Sequence, residues 1–205
     1  MPNSTQAEHS GWRTQNRGLR VTLVSLTGIS KKHLDSRKEH KGGSTMKRRP
    51  LDAKEELVEE FERALRVSEY LVRVLPRRLW LAEPPDGHGR SIAATVAHMQ
   101  SVRRTFAKMG GAPVALALDR ERSTAAEAPR ALRQSRDTLT ELFRKSLGQD
   151  QSRVKGMPRR TVNMIFYLVQ HEAHHRGQIC RLAKALGHEF SGDDVMRIWG
   201  WKKLP

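Results

Sequence analysis

Three histidines stand close together near the carboxyl end of the chain, in the segment HEAHHRGQ of residues 171–178. If this segment is helical, His175 lies one turn above His171 and about 40° from it around the axis, so both imidazoles can reach one point in space. This is the geometry that a divalent cation requires of two ligands on one helix. The spacing therefore predicts that His171 and His175 form part of a metal site.

A third ligand is expected from a facing helix, because two histidines rarely hold a metal ion alone. His98 is the best candidate, since it lies in the apolar sequence VAHM of residues 96–99. Three neutral imidazoles leave at least one coordination position for water or substrate, as in catalytic sites rather than closed structural ones. An ion held in this way lowers the pKa of a bound water or thiol. The predicted metal ligands are His98, His171 and His175.

Neighbouring side chains of the segment project in other directions. Gln178 falls about 20° from His171 around the helix axis. It is predicted to be a polar group that assists the ligating histidines without binding the metal itself. His174 projects to the other side and is predicted to be a supporting or surface residue. Cys180 points about 180° away, so a mixed Cys/His ligand set is not expected. Glu172 lies about 100° from His171, and a general-base role for it depends on the reach of its side chain.

Five further residues have structural interpretations that we favour. Gly177 is predicted to permit the close approach of another helix, because glycine is unfavourable in a helix interior. Arg176 either ties down a neighbouring segment or binds an acidic group. Tyr167 is expected to pack in the core, although it could orient a substrate. Trp199 and Trp201 are expected to be core or interface anchors.

N-cap residues and helix-breaking residues mark the first two predicted helices. Hydrophobic residues recur at three-to-four spacing after Asp52, the predicted N-cap, and Pro76 closes this first helix. Ser91 is the predicted N-cap of a second helix over residues 92–109, which ends at the glycine pair 110–111. This second helix carries His98.

Two more helices complete the predicted fold. Residues 124–127, TAAE, have the spacing of a capping box that starts a third helix. Thr161 is the predicted cap of a fourth helix, which carries the histidine segment and ends at Gly187. Since no β-rich alternating segment competes, the predicted fold class is all-α, a four-helix bundle.

The composition excludes several classes of protein. With one cysteine in 205 residues no internal disulfide can form, which favours a cytoplasmic location. No apolar run approaches the roughly 18–20 residues of a membrane span. The net charge of +16 raises the hypothesis of nucleic-acid binding.

Residues 1–45 differ in composition from the rest of the chain. They contain eight Lys and Arg and three Asp and Glu, so +5 of the net charge lies here and +11 lies in the remainder. This polar segment has no sustained hydrophobic period and is predicted to be a disordered basic tail. A further hypothesis is that translation begins at Met46, because residues 41–45 could be encoded by a purine-rich ribosome-binding site. The predicted domain covers residues 46–205.

Two motifs together resemble the DinB family, also called DinB/YfiT-like, whose members are metal-binding four-helix bundles related to bacterial thiol transferases. The sequence HEAHHRGQI of residues 171–179 resembles the family signature, and SIAATVAHM of residues 91–99 resembles its second-helix motif. The closing WGW of residues 199–201 also fits, and the resemblance covers about residues 50–202.

The resemblance implies that His98, His171 and His175 bind a divalent metal ion, commonly zinc or nickel. It also implies a long crossover between the second and third helices, for which residues 110–123 are long enough. Family members often form homodimers, and relatives use the metal to activate a low-molecular-weight thiol.

Three functional hypotheses follow. The leading one is a cytoplasmic metal-dependent thiol S-transferase or hydrolase that acts on a small anionic or thiol substrate at an open coordination position. The alternative is a non-catalytic metal-binding stress-response bundle, in which that position is filled. A basic nucleic-acid-binding protein is disfavoured, because Lys and Arg are spread over all predicted helices without interleaved aromatic residues.

Overall fold

The computed structural model describes residues 50–205. In this part of the chain there are five α-helices, one short 3-10 helix over Arg77–Leu79, and no strand. The α-helices are α1 (Ala53–Val74), α2 (Ile92–Met109), α3 (Ala128–Gly148), α4 (Thr161–Ala185) and α5 (Gly192–Ile198). The predicted all-α class is confirmed. The predicted tail of residues 1–45 and the start at Met46 lie outside the described residues.

Two apolar clusters define the direction of the four long helices. One cluster joins the end of α1, the starts of α2 and α3, and the end of α4, through Leu71, Ile92, Ala128 and Ile179. The other joins the start of α1, the ends of α2 and α3, and the start of α4, through Phe61, Ala107, Phe143 and Ile165. Therefore α2 and α3 run parallel to each other, and α1 and α4 run in the opposite direction.

Parallel neighbours in a bundle need a connection that returns along its length. Residues 110–127 provide this connection between α2 and α3 and run back beside α2. Arg104 Nε donates to the carbonyl of Ala115 at 2.9 Å, and Gln100 Nε2 donates to that of Leu116 at 2.7 Å. The predicted long crossover is confirmed, and it extends four residues beyond the predicted end at residue 123.

Two predicted helix starts and the predicted capping box form the expected hydrogen bonds, and the box lies in the turn before α3, whose first residue is Ala128. The side chain of Asp52 accepts the backbone N–H of Lys54 at 3.0 Å, and the hydroxyl of Ser91 accepts that of Ala94 at 3.1 Å. In the capping box, the Glu127 carboxylate accepts the N–H of Thr124 at 2.8 Å, and the Thr124 hydroxyl accepts the N–H of Glu127 at 3.3 Å. These contacts satisfy backbone donors that a helix N-terminus leaves free.

The predicted cap of the fourth helix is wrong by one residue. Arg160 occupies the N-cap position without a side-chain cap, and Thr161 is the first residue of α4. The hydroxyl of Thr161 is buried and lies 2.8 Å from that of Ser146 at the end of α3. Thr161 therefore ties the start of α4 to α3 instead of capping its own helix.

The short helix α5 was not predicted, because its seven residues bury no side chain and show no apolar period. It rests on α1, where the Tyr70 hydroxyl donates to Asp194 at 2.5 Å. Trp199 and Trp201, which follow α5, are 76% and 75% exposed. Of their two predicted roles, that of core anchors is wrong, and that of interface anchors stays a prediction.

Gly177 does not permit close helix approach, as the sequence suggested. It is exposed on α4, and a Cβ atom built on it would meet nothing within 4 Å. No helix of the described chain packs against this position.

Replacing Gly177 with alanine is expected to raise the free energy of unfolding by about 0.5–1 kcal/mol, because alanine loses less conformational entropy in a helix. Urea unfolding measures the change. Gly187→Ala is the matched control: it also has open space, but its φ of +77° strains an L side chain, so it should destabilise. A loss of stability in Gly177→Ala would contradict the open surface described for this position.

None of the helices in residues 50–205 is long and apolar enough to cross a membrane.

Candidate metal centre

Antiparallel packing of α2 and α4 brings His98, His171 and His175 together. Nε2 of His171 lies 3.3 Å from Nε2 of His98 and 3.2 Å from Nε2 of His175. These three form a group in which one ring nitrogen of each lies within 4.8 Å of the others. The structure thus joins the three residues that the sequence selected, and we call them the histidine cluster.

The spacing of these nitrogens fits a divalent metal ion. Zinc–imidazole bonds are about 2.0–2.1 Å, and a tetrahedral angle between two such bonds separates the nitrogens by about 3.3 Å. Two of the three separations in the structure, 3.2 and 3.3 Å, match this value, and all three pairs lie within 4.8 Å. Three imidazoles on one side of an ion also leave further coordination positions unassigned to protein groups.

The electrostatic surroundings keep the cluster neutral and able to bind a cation. Burial, and then the charge of His175, lower the pKa of His171 from 6.5 to about 4. Burial is also the main cause of the lowered pKa of His98 and of His175. At neutral pH the three rings are therefore unprotonated imidazoles with a lone pair available for a metal ion.

Gln178 determines which nitrogen of His175 is free. Its amide oxygen can only accept a hydrogen bond, and it lies 2.8 Å from Nδ1 of His175. The proton of His175 is therefore on Nδ1, and its Nε2 lone pair faces the cluster. The amide nitrogen of Gln178 donates to Nε2 of His174 at 2.9 Å, so His174 supports Gln178 from the exposed surface.

His171 has no such support. Its Nδ1 is buried and has no hydrogen-bond partner among the described residues. A ligating histidine is usually oriented by an outer hydrogen bond on its second ring nitrogen. Of His171 and His175, only His175 has this hydrogen bond.

Replacing Gln178 with leucine is expected to weaken zinc binding by about 10–100-fold, because the orienting hydrogen bond to His175 is lost. Competition with a chromophoric chelator measures this affinity. Gln178→Glu keeps an acceptor and should bind within a few-fold of the wild type, and Gln170→Leu, also exposed on α4, is the control. An unchanged affinity in Gln178→Leu would show that this contact does not support a ligand.

Glu172 is not available as a general base. It is fully buried, its two oxygens accept Nε and Nη2 of Arg103 at 2.9 and 2.7 Å, and Ser68 donates to it at 2.6 Å. Burial favours the neutral acid, but Arg103 and Ser68 more than offset this and lower the pKa. Arg103 also donates to the carbonyl of Leu132 on α3 at 2.9 Å. The ion pair therefore connects all four long helices rather than facing a substrate.

Arg176 takes the first of its two predicted roles. Its guanidinium donates to the carbonyl of Ala64 at 3.1 Å and to the hydroxyl of Ser68 at 3.3 Å, which ties α4 to α1. Burial lowers its pKa, and the nearby charge of Glu172 acts against this.

Tyr167 lies between the core and the cluster. Its half-buried ring stacks on that of His171 with centroids 6.0 Å apart, and it makes an edge-to-face contact with Phe106 at a centroid distance of 5.7 Å. The guanidinium of Arg159 lies 5.8 Å from the same ring. These groups form an aromatic wall beside His171.

Cys180 is half-buried, carries no disulfide and is not part of the cluster. Burial raises the pKa of its thiol. A raised pKa disfavours the reactive thiolate, so this side chain is a packing residue.

Two features of the site were missed by sequence reasoning. The first is Arg103, although it continues the buried stripe of Ile92, Val96 and Met99 at three-to-four spacing. A charged residue in such a stripe is a signal of a buried ion pair. The second is a cavity beside the cluster, formed in part by the loop before α2, for which the sequence holds no periodic signal.

Comparison with known proteins supports the same assignment as the two motifs. No curated protein and no solved structure matches the chain. The model of the DinB family matches residues 44–202, which include all four long helices and the histidine cluster. The chain therefore belongs to the DinB family.

Proposed function

We propose that the protein is a metal-dependent thiol S-transferase or hydrolase in which His98, His171 and His175 hold a zinc or nickel ion. The observation that carries the proposal is the convergence of three neutral imidazoles with Nε2 separations of 3.2 and 3.3 Å. A divalent ion supplies Lewis acidity, which lowers the pKa of a thiol or water and so provides a nucleophile at neutral pH.

Side chains around the cluster orient its members and shape the approach to it. Gln178 holds the ring of His175, and the buried pair of Arg103 and Glu172 sets the position of α4 against α2. The ring of Tyr167 limits the space beside His171. These contacts favour a preorganised site, in which the ligands keep their positions while a substrate binds.

The substrate that we propose is a small anionic molecule or thiol, with a low-molecular-weight thiol as co-substrate. The excess of positive charge favours anions, and a divalent ion would add to it. Thiol chemistry of this kind belongs in a reducing compartment such as the cytoplasm, where the single Cys180 also stays reduced.

The protein is further proposed to form a homodimer. Support comes from Trp199 and Trp201, whose exposed rings resemble the aromatic anchors of protein interfaces. Light scattering after gel filtration measures the mass, and Trp199→Ser should shift a dimer toward the monomer.

The test of the function is a screen of low-molecular-weight thiols against electrophiles, with zinc- and nickel-loaded protein. We expect thiol consumption that requires the metal and is lost in His175→Ala, while Arg130→Gln, on the exposed face of α3, retains it. Tight metal binding without consumption of any thiol or hydrolysis of any ester would contradict catalysis. That result would assign the protein to the non-catalytic alternative.

A further inference from the structure

A cavity of about 360 Å³ is lined by residues next to the histidine cluster, and none of the three histidines itself lines it. Its lining includes Thr95, which lies one turn before His98 on α2, and Gln178, whose amide oxygen contacts His175. Because α2 and α4 are antiparallel, the cavity extends from the cluster toward the start of α2 and the end of α4.

Two arginines lie on different walls of this cavity. Arg90 belongs to the loop before α2, and Arg181 lies on α4, three residues after Gln178. Among the described residues, neither forms an ion pair with a carboxylate. Asp86 also faces the cavity, and its carboxylate accepts the backbone N–H of His88 at 3.0 Å. The two guanidiniums thus have free donors and outnumber the acidic group.

Both arginines are close enough to act on a ligand at the cluster. Arg90 immediately precedes Ser91, the N-cap of α2, and Ser91 lies about two helical turns, or about 10 Å, before His98. Arg181 lies six residues after His175, which is about 9 Å along the helix axis. A ligand that joins the cluster to these arginines therefore needs a chain of only a few atoms.

The rest of the lining suits such a chain. Apolar side chains of the loop and of α4 form most of the remaining wall, beside His88 and Gly89: Pro84, Pro85, Leu182 and Ala185. A short run of methylene groups can lie against this wall while the charged end meets the guanidiniums. Arginine is suited to this task, since its planar donors bind oxyanions in pairs.

We propose that Arg90 and Arg181 bind the anionic end of the substrate, a small thiol that carries an oxyanion on a short apolar chain. We call the cavity between them the arginine pocket. The inference rests on the proposed function, because it places the thiol of the same molecule at the histidine cluster. It adds the chemical class of the molecule and the two residues that select it.

The first experiment uses cobalt-loaded protein, in which thiol binding at the metal produces a sulfur-to-cobalt absorption band. We compare 3-mercaptopropanesulfonate with the neutral 3-mercaptopropanol, because a sulfonate is a poor metal ligand and any gain in affinity then comes from the protein. The sulfonate should bind about tenfold more tightly to the wild type. 4-Mercaptobutanoate in the same titration shows whether the pocket prefers a planar carboxylate or a tetrahedral oxyanion.

Arg90→Gln and Arg181→Gln should each lose most of this tenfold preference, while binding of the neutral thiol stays within twofold. Arg130→Gln, an exposed arginine on α3, is the matched control and should keep the preference. Equal affinity of the two thiols for the wild type, or an equal loss in all three variants, would overturn the proposal.

A second experiment tests the arginine pocket without any metal. Inorganic phosphate is titrated into the metal-free protein while NMR follows the Nε–H signals of the arginine side chains. Signals of Arg90 and Arg181 should shift at lower phosphate concentration than that of Arg130, and uniform shifts would count against the pocket. If cobalt does not bind or no sulfur band appears, the proposed thiol chemistry fails, and this experiment still decides on the pocket.

Discussion

Replacing Glu172 with glutamine is expected to lower the free energy of unfolding by about 3–5 kcal/mol. The carboxylate is fully buried and accepts two hydrogen bonds from Arg103 and one from Ser68. Its loss leaves the guanidinium of Arg103 buried without a countercharge and removes the charge that acts favourably on Arg176. Because a domain of this size is stable by only about 5–15 kcal/mol, the variant is expected to be near its unfolding threshold at moderate temperature.

Urea unfolding monitored by circular dichroism measures this loss. Glu141→Gln is the matched control: it removes an exposed contact of 3.7 Å with Arg144 and should change stability by less than about 1 kcal/mol. Arg103→Met should cost less than Glu172→Gln, because Ser68 and the charge of Arg176 remain beside the carboxylate. A cost for Glu172→Gln as small as that for Glu141→Gln would contradict the role of the pair in joining the helices.

Replacing His171 with alanine is expected to weaken zinc binding by more than about 100-fold, which exceeds the effect of losing an outer hydrogen bond. The Nε2 atom of His171 is the one measured close to both other members of the cluster. The metal-free variant should still fold, because the ring is only half-buried and its Nδ1 has no partner to lose.

The effect of zinc on thermal stability distinguishes a loss of metal binding from a loss of folding. Zinc at about 1,000 times its Kd should stabilise the wild type by about 4 kcal/mol, since the ion binds only the folded chain. Thermal unfolding of His171→Ala should show little change at the same zinc concentration, and His88→Ala should respond like the wild type. Equal stabilisation of His171→Ala would place the zinc elsewhere on the chain.

Local signals in the sequence were sufficient for most of the bundle. Asp52 and Ser91 each accept the backbone donors that a cap satisfies, and the pair of Thr124 and Glu127 forms the predicted box. Such contacts depend on residues within one turn, so spacing alone reveals them. The same holds for His171 and His175, whose rings are brought together by one turn of helix.

The placement of His98 beside this pair is different, because it depends on how α2 packs against α4. An apolar neighbourhood was enough to select His98 for the core side of its helix, and the antiparallel packing of α2 and α4 brings it to His171. That the three residues bind a metal ion stays a prediction.

Features that depend on tertiary packing were misjudged or missed. Gly177 suggested a close helix neighbour, but the structure places open space beside it. A glycine in a helical sequence does not by itself show whether another helix packs against it. Thr161 resembled a cap, and its hydroxyl instead meets Ser146 on another helix. For Glu172, projection around the helix gave an angle to His171 but not the partner, because Arg103 lies 69 residues away. A charge in a buried stripe is the signal that would have found this pair.

X-ray absorption of the zinc-loaded, tag-free protein decides whether His98, His171 and His175 hold one divalent ion. We expect three imidazole nitrogens at about 2.0–2.1 Å from zinc, with a further light-atom ligand that is not histidine. A spectrum with no histidine scattering, or with a sulfur ligand from Cys180 in the protein without added thiol, would contradict it.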